Sequence, residues 1–306
     1  MPHVESGYLD SLESDETIFR YMSFSKFANL LKTGKLHFHQ AADFGDRFEG
    51  SVPELIEQAR ELEYERATRR GELQPEGHEI HAEINKCLRR FTYLSCWHMT
   101  DEESMAMWEH YGGSDGAVAI KTTVGEFSSA LNTRHDHDIY FGEVDYQPYS
   151  SDHNETPDID DIDIEEDLDD RFFLTREAHS LVPFVHKRQG YQYEHEMRGI
   201  IQDPPIDEDL DQTIVEIDDE IHEVDFKIHT EEGPKYLDAT KENDTKGVDI
   251  PVYLDGLIHK VHTAPDASSW FKETVEKEVE ACESLMRDHE LDEILEDSIL
   301  DNDPSF

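Results

Sequence analysis

The stretch from 91 to 122, FTYLSCWHMTDEESMAMWEHYGGSDGAVAIKT, decides the fold class. Phe91 to Trp97 is aromatic and β-prone and reads as a buried strand. Thr100 and Glu103 have capping-box spacing, which predicts a helix carrying Ser104, Met107, Trp108 and Tyr111 on one face. Gly112 and Gly113 end it, and Gly116 to Thr122 reads as the next strand. Upstream, Thr17 to Met22 is a short strand. A helix over Lys26 to Thr33 follows, capped by Ser23 or Ser25 and stopped by Gly34, and Lys35 to His39 alternates as a strand. Pro53 opens a charged helix to about Arg70, and a second runs from about Gly77 to Arg90.

Downstream, strands are expected over Ile139–Tyr146, Tyr193–Ile201, 213–217, 224–229, 249–254 and 257–262. Helices are expected from about Arg171 to Val185 and over 267–288, the latter closing the chain with a short acidic tail behind it. Strands and helices mix without regular βαβ alternation, so the fold class is α+β, a mixed sheet flanked by helices. One domain is expected over 17–300, preceded by a polar, poorly ordered segment 1–16 and followed by a tail, 301–306. The run SSDHNETPDIDDIDIEEDLDD at 150–170 reads as a solvated acidic insertion.

The 73 Asp and Glu face only 27 Lys and Arg, a formal charge of −46 over 306 residues. Yet 15 Phe, 12 Tyr and 3 Trp are too many for a disordered acidic chain. The chain folds. It lacks the basic stripe that a free-standing duplex-DNA binder or an anionic-membrane binder needs. No apolar run is long enough to span a bilayer, and no secretory signal opens the sequence. Cys87, Cys96 and Cys282 have no metal-site or disulfide-scaffold spacing. A cytoplasmic location is expected. Charge spread along the whole chain reads as adaptation to a salt-rich interior, where screening suppresses self-repulsion.

Three groups of residues could carry chemistry. Glu194, Glu196 and Arg198 alternate, so on one strand they would stand in line on one face, two carboxylates beside a guanidinium. The alternative is an exposed strand face with cross-strand charge pairs. In the loop Phe44-Gly45-Asp46-Arg47-Phe48-Glu49, two acids lie between phenylalanine anchors; the alternative is an Asx turn at Asp46 with Glu49 solvated. Trp108-Glu109-His110-Tyr111 places His110 at a helix end, against the plainer reading of core aromatics with a rim histidine. The His37/His39 and His135/His137 pairs have no partner at a recognised metal interval, and no metal site is expected.

Taken in order, Phe19-Arg20-Tyr21, Leu36-His37-Phe38, the FGDRFEG loop, MWEHYGGSDGAVAI and Lys187-x3-Tyr191-x2-Glu194-x-Glu196-x-Arg198 resemble the prokaryotic family called domain of unknown function 2971. The resemblance spans about 18–300 and includes GLIHKVHTAPDASSW. Asp46, Glu49, Trp108, Tyr111, Lys187, Glu194, Glu196 and Arg198 match its pattern. Gly45 and Arg47 depart from its Asn and Pro, and Tyr191 replaces Trp. The order Arg20, Ser95, Glu196 is also similar to that of mono-ADP-ribosyltransferases. That similarity implies NAD as cofactor, Arg20 on the dinucleotide, Ser95 bracing the nicotinamide pocket, and Glu196, with Glu194, opposing a cationic ribose.

The expected site is therefore a cleft of Arg20, Asp46, Glu49, Ser95, Trp108, Tyr111, Lys187, Glu194, Glu196 and Arg198. The expected function is an enzyme acting on a nucleotide or nucleic acid, such as ADP-ribosyl transfer in a defence or toxin-like role. The alternatives are a non-enzymatic binding module with a structural charge row, and a metal-dependent hydrolase with Asp46, Glu49 and Glu194 as ligands. The three differ in which side chains must converge.

Overall fold

Hydrogen bonding of the run Thr17–Ser23 (β1) to two neighbouring strands puts this run in the interior of a sheet. The computed structural model describes residues 12–53, 57–58, 61, 66, 68–71, 77–111, 116–131, 137–149, 180–230, 233–285 and 290–301. The helix Phe24–Thr33 (α1) starts after Ser23, whose hydroxyl does not cap it. It ends at Gly34, which takes the left-handed conformation at φ 60° and donates to the Leu30 carbonyl. Lys35–Gln40 (β2), the helix Gly77–Arg90 (α2), Thr92–Met99 (β3), Met105–Tyr111 (α3), Ala117–Thr123 (β4) and Val124–Ala130 (α4) follow. Then come Tyr140–Glu143 (β5), Asp145–Gln147 (β6), His186–Arg188 (β7), Glu196–Gln202 (β8), Thr213–Ile217 (β9) and Glu220–Val224 (β10). The rest are Ile228–Thr230 (β11), Gly233–Lys235 (β12), Gly247–Pro251 (β13), Leu254–Leu257 (α5), Lys260–Thr263 (β14), Ser269–Glu280 (α6), Leu291–Ile294 (α7) and Leu295–Glu296 (β15).

Among the described residues nine strands form one mixed sheet in the order β13-β2-β3-β1-β4-β14-β15, with β8 on the other edge of β3 and β5 beyond it. The sheet forks at β3. One edge of β3 gives Tyr93 and Leu94 to β2 and His98 and Met99 to β1, while the opposite edge pairs with β8 from Thr92 to His98. The class is α+β, as the mixed order of elements predicts.

Register assigns each side chain to a face, because paired residues point the same way. One face carries Ile18, Leu36, Phe38, Trp97, Val118, Ile120 and Met197. It is covered by α1, α4, α5 and α6 through residues such as Phe27, Phe127, Leu257 and Val275, and this is the main core. The other face is covered in two patches. Phe19, Tyr21 and Ala119 pack under Met107 and Trp108 of α3, and Leu94 and Ile200 pack under Leu181, Phe184 and Val185. Between these patches Glu196 and Arg198 of β8 are buried. A separate small core joins Ile84 and Leu88 of α2 to Val215 of β9 and to Leu237.

Several expectations need correction. Glu103 makes no capping box: its carboxylate accepts bonds from the Trp108 indole, Ser298 Oγ and Ile299 N, and α3 begins only at Met105. The run 139–146 is two strands in different sheets, and 224–229 divides between β10 and β11. Residues 254–257 are helical, so the strand expected over 257–262 is confined to Lys260–Thr263. The closing helix stops at Glu280, short of the expected 288, and the stretch 291–300 packs onto the sheet, while residues 302–306 of the expected tail lie outside the described residues. β15 pairs parallel with β14, and Ile294 and Ser298 are buried. Residues 14 and 16 accept backbone bonds from Gly125 and Val124, so the expected loose segment is tied to α4 at its end. The helix expected to end at Val185 is a 3-10 turn at Val182–Phe184 within the described part. The rest of it, the acidic run from 150, Gly112, Gly113, His135 and most of the 53–70 helix lie outside the described residues. Residues 57–58, 61, 66 and 68–69 of that helix are helical.

Candidate functional site

A departure from alternation builds the site. Residues Gln189–Glu194 form a 3-10 turn, and His195 follows at φ 39°, in the left-handed region that an L-residue adopts only at some cost. The strand therefore starts at Glu196, and Glu194 does not stand in line with it, contrary to the expected row. The turn instead folds Glu194 back beside Glu196. His98 Nδ1 donates to the Glu194 carbonyl at 2.6 Å, and Met99 N donates to the His195 carbonyl at 2.7 Å, which pins the turn to the end of β3.

Five charged side chains meet there, all buried: Glu49, Lys187, Glu194, Glu196 and Arg198. Arg198 is fully enclosed. Its Nη1 and Nη2 reach the two oxygens of Glu49 at 2.7 and 3.1 Å, its Nε donates to Glu196 Oε2 at 2.8 Å, and Nη1 also donates to the Phe184 carbonyl at 2.6 Å. Lys187 Nζ donates to Glu194 Oε2 and, at 2.9 Å, to Glu196 Oε1. The Glu196 backbone N–H donates to the Tyr146 hydroxyl at 2.9 Å. Tyr111, at the end of α3, donates its hydroxyl to Glu194 Oε1 at 3.1 Å while remaining 42 % exposed.

Three acids and two bases cannot all be charged without a residual negative charge in a dry environment. Glu194 absorbs the conflict. Burial, together with the hydrogen bond and repulsion from Glu196, raises its pKa to about 7. Glu196 is held well below the usual carboxylate range: Arg198 and Lys187 stabilise its charge by more than burial opposes it. The pair titrates jointly, with the proton resting on Glu194. Burial and the neighbouring Glu196 push the Cys96 thiol up to about 12, so it stays protonated and is no nucleophile.

Asp46 has two roles. It accepts the Phe48 backbone N–H at 3.0 Å, the expected Asx turn, and it grips Arg188 through both oxygens at 2.9 and 3.1 Å. Glu49 is not solvated, as the turn reading would have it, but is only 2 % exposed. Gly50 at φ 72° brings the loop in against Phe184. Trp108 is a core residue with Tyr21 edge-on at 4.8 Å, and it stands outside the charged group. His110, at the same helix end, is exposed and stacks on Tyr193.

Arg20 and Ser95 are also elsewhere. Phe19 pairs with His98 and His98 with Glu196, so Arg20 and Ser95 project from the sheet face opposite Glu196. There Arg20 lies across the fork, bonded to Ser95 Oγ and the His37 carbonyl and resting on the Trp97 ring. Asp46, Glu49 and Glu194 are each taken up by a different cation. Among the described residues no group of three His, Cys, Asp or Glu side chains is placed to hold a metal ion. No described helix is long and apolar enough to cross a membrane.

The sequence reading missed Arg188, Tyr146 and the ring set of Phe48 and Tyr149. One signal was available for Arg188: Asp46 in a turn needs a cation, and Lys187-Arg188 is one of the few paired bases in the chain.

Lys187, Tyr111 and the Glu194-x-Glu196-x-Arg198 run lie inside the stretch that matches a known family, described as protein of unknown function (DUF2971). Over residues 107–199 the chain is similar to that family. The match is narrower than the 18–300 expected and leaves out Arg20, Asp46, Glu49 and Ser95. It contains four of the five charged residues, Glu49 being the exception. No curated protein and no solved structure matches the chain.

Proposed function

We propose that the chain is an acid–base enzyme of the nucleotide-acting class, with Glu194 as proton donor. The carrying observation is the position of Glu194. It shares Lys187 with a permanently ionised neighbour, and its other oxygen is bonded to Tyr111, a residue partly open to solvent. A carboxylic acid poised near neutrality is suited to protonating a departing group; when Glu194 is protonated its bond to Tyr111 reverses, the acid O–H donating to the phenol oxygen while the phenol proton passes outward. The aromatic residues around it, Tyr111, Tyr191 and Tyr193, offer flat surfaces of the kind on which a base stacks.

Glu196 takes the role of fixed anion. Both its oxygens are engaged by Lys187 and Arg198, so it sets the proton affinity of Glu194 and does not meet a substrate cation. ADP-ribosyl transfer of the kind first expected needs Arg20, Ser95 and Glu196 on one cleft, and they stand on two faces. The metal-hydrolase alternative needs Asp46, Glu49 and Glu194 free to share one ion, and each is instead bonded to its own cation, Arg188, Arg198 and Lys187. Glu49, Arg198 and Glu196 together act as a structural brace, which keeps that part of the binding-module reading.

In molar KCl, wild-type protein incubated with a panel of nucleotides should consume at least one, with a rate that falls as pH rises through about 7. Glu194→Gln should lower that rate by about two to four orders of magnitude and remove the pH limb. A rate unchanged in Glu194→Gln would end this assignment.

A further inference from the structure

Beside the charged group lies an open cleft of about 560 Å³, lined by Phe48, Pro148, Tyr149, Arg188, Gln189, Gly190 and Tyr191. Its lining comes from the Asp46–Glu49 loop, the end of the β6 segment, and the first half of the turn that ends in Glu194. One ring joins it to the charged group. Tyr191 faces the cleft, and Lys187 Nζ sits 4.9 Å from the centre of the same ring.

The cleft is built around a prepared guanidinium. Arg188 stacks on Phe48 and Tyr191, with its central carbon 4.8 and 5.4 Å from the ring centres. Asp46 occupies Nε and Nη2, and Nη2 also reaches the Tyr191 hydroxyl at 3.3 Å. Among the described residues Nη1 has no partner, so two N–H groups remain to be used. Asp46 already neutralises the charge, and the chain carries −46 overall, so this edge favours a neutral acceptor over a bare anion. Phe48 and Tyr149 meet edge to face at 5.6 Å and form an aromatic wall. The exposed Gln189 amide adds a donor and an acceptor at the rim.

We propose that this cleft is a base-binding subsite: it takes a flat, carbonyl-bearing heterocycle such as a nucleobase. The ring stacks on the aromatic residues, and its carbonyl accepts from Arg188 Nη1. The sugar-phosphate end stays toward Tyr191 and Glu194, with phosphate charge left to solvent cations. The inference rests on the nucleotide reading above and names the part of the substrate that is recognised.

Gly190 permits a clean test. A Cβ placed there meets nothing within 4 Å and the residue does not need a positive φ, so Gly190→Leu should fill the cleft mouth without disturbing the fold. Binding of GMP, UMP, AMP and ribose 5-phosphate is measured by calorimetry in molar KCl on wild type, Gly190→Leu and Arg188→Met, alongside melting curves. GMP and UMP, which carry base carbonyls, are expected to bind more tightly than AMP, and ribose 5-phosphate not at all. Gly190→Leu should weaken binding about tenfold or more with an unchanged melting curve, and Arg188→Met should erase the preference over AMP. No binding of any mononucleotide, equal binding of ribose 5-phosphate, or binding unaffected by Gly190→Leu would each overturn the subsite. If binding follows this pattern but turnover survives Glu194→Gln, the subsite stands and the proton-donor assignment falls. If Glu194→Gln abolishes turnover while Gly190→Leu leaves binding intact, the reverse holds.

Discussion

Arg198→Met should cost about 3–5 kcal/mol of stability, enough to unfold a marginal domain. Methionine fills similar space but leaves Glu49 and Glu196 buried, each having lost the guanidinium that paired it. Lys187 can compensate only Glu196, since it already touches that carboxylate and Glu194. Among the described residues Glu49 has no cation other than Arg198 as partner. Chemical denaturation in molar KCl measures the loss. Adding Glu49→Gln to Arg198→Met should recover a large part of it, because removing a buried charge together with its partner is far less costly than removing either one. A loss below about 1 kcal/mol, of the size seen for surface substitutions, would mean that the brace is not what holds the 41–50 loop to β8.

The second large effect is global. Lowering KCl from molar to about 0.1 M lengthens the Debye length from roughly 3 Å to about 10 Å, so carboxylates that ignored each other begin to repel. Given the −46 charge, melting temperature should fall steeply and the fold should loosen at the low-salt end. The five-residue charged group is exempt from this argument, since a buried pair is screened little at any salt. Circular dichroism melts across a salt series test the expectation. A melting temperature that stays flat or falls with added KCl would contradict the reading of this acidity as adaptation to salt.

Much of the scaffold was legible in local pattern. Gly34 stops α1 because the chain needs a left-handed residue there, and alternation marked β2. FTYLSCW announced β3 because a strand buried on both faces carries apolar and aromatic residues throughout. The misreadings share a cause: tertiary partners overrode local spacing. Thr100 and Glu103 have the right interval for a capping box, but a carboxylate that can bind Trp108, Ser298 and Ile299 together is better used there. Glu194-x-Glu196-x-Arg198 reads as one strand because alternation cannot register that His195 turns left-handed. Glu49 reads as a solvated loop residue because its partner Arg198 is 149 positions away.

For the site, residue identities were legible and their grouping was not. Lys187, Glu194, Glu196, Arg198, Glu49 and Tyr111 do come together. Arg20 and Ser95 do not, since the face on which a strand residue lies depends on register, which spacing along the chain leaves open. Arg188 and its aromatic neighbours escaped because a cleft made from three distant segments has no linear signature.

Burial and the charge fixed on Glu196 hold the Glu194 carboxyl up to about 7, so that it exchanges its proton near neutral pH. A carboxyl raised in the folded state contributes stability that is complete below the ordinary carboxylate range and is lost as pH rises through about 7. Glu196, held low, contributes in the opposite sense: its share is present above the ordinary range and is lost only in strong acid. The direct measurement is carboxyl titration by NMR on protein labelled with ¹³C at glutamate side chains, in molar KCl, for wild type, Glu194→Gln and Glu196→Gln. One glutamate should titrate near pH 7 in the wild type, be absent in Glu194→Gln, and titrate at a distinctly lower pH in Glu196→Gln, where burial still acts but the neighbouring charge is gone. A wild type in which every glutamate titrates in or below the ordinary range would contradict this assignment.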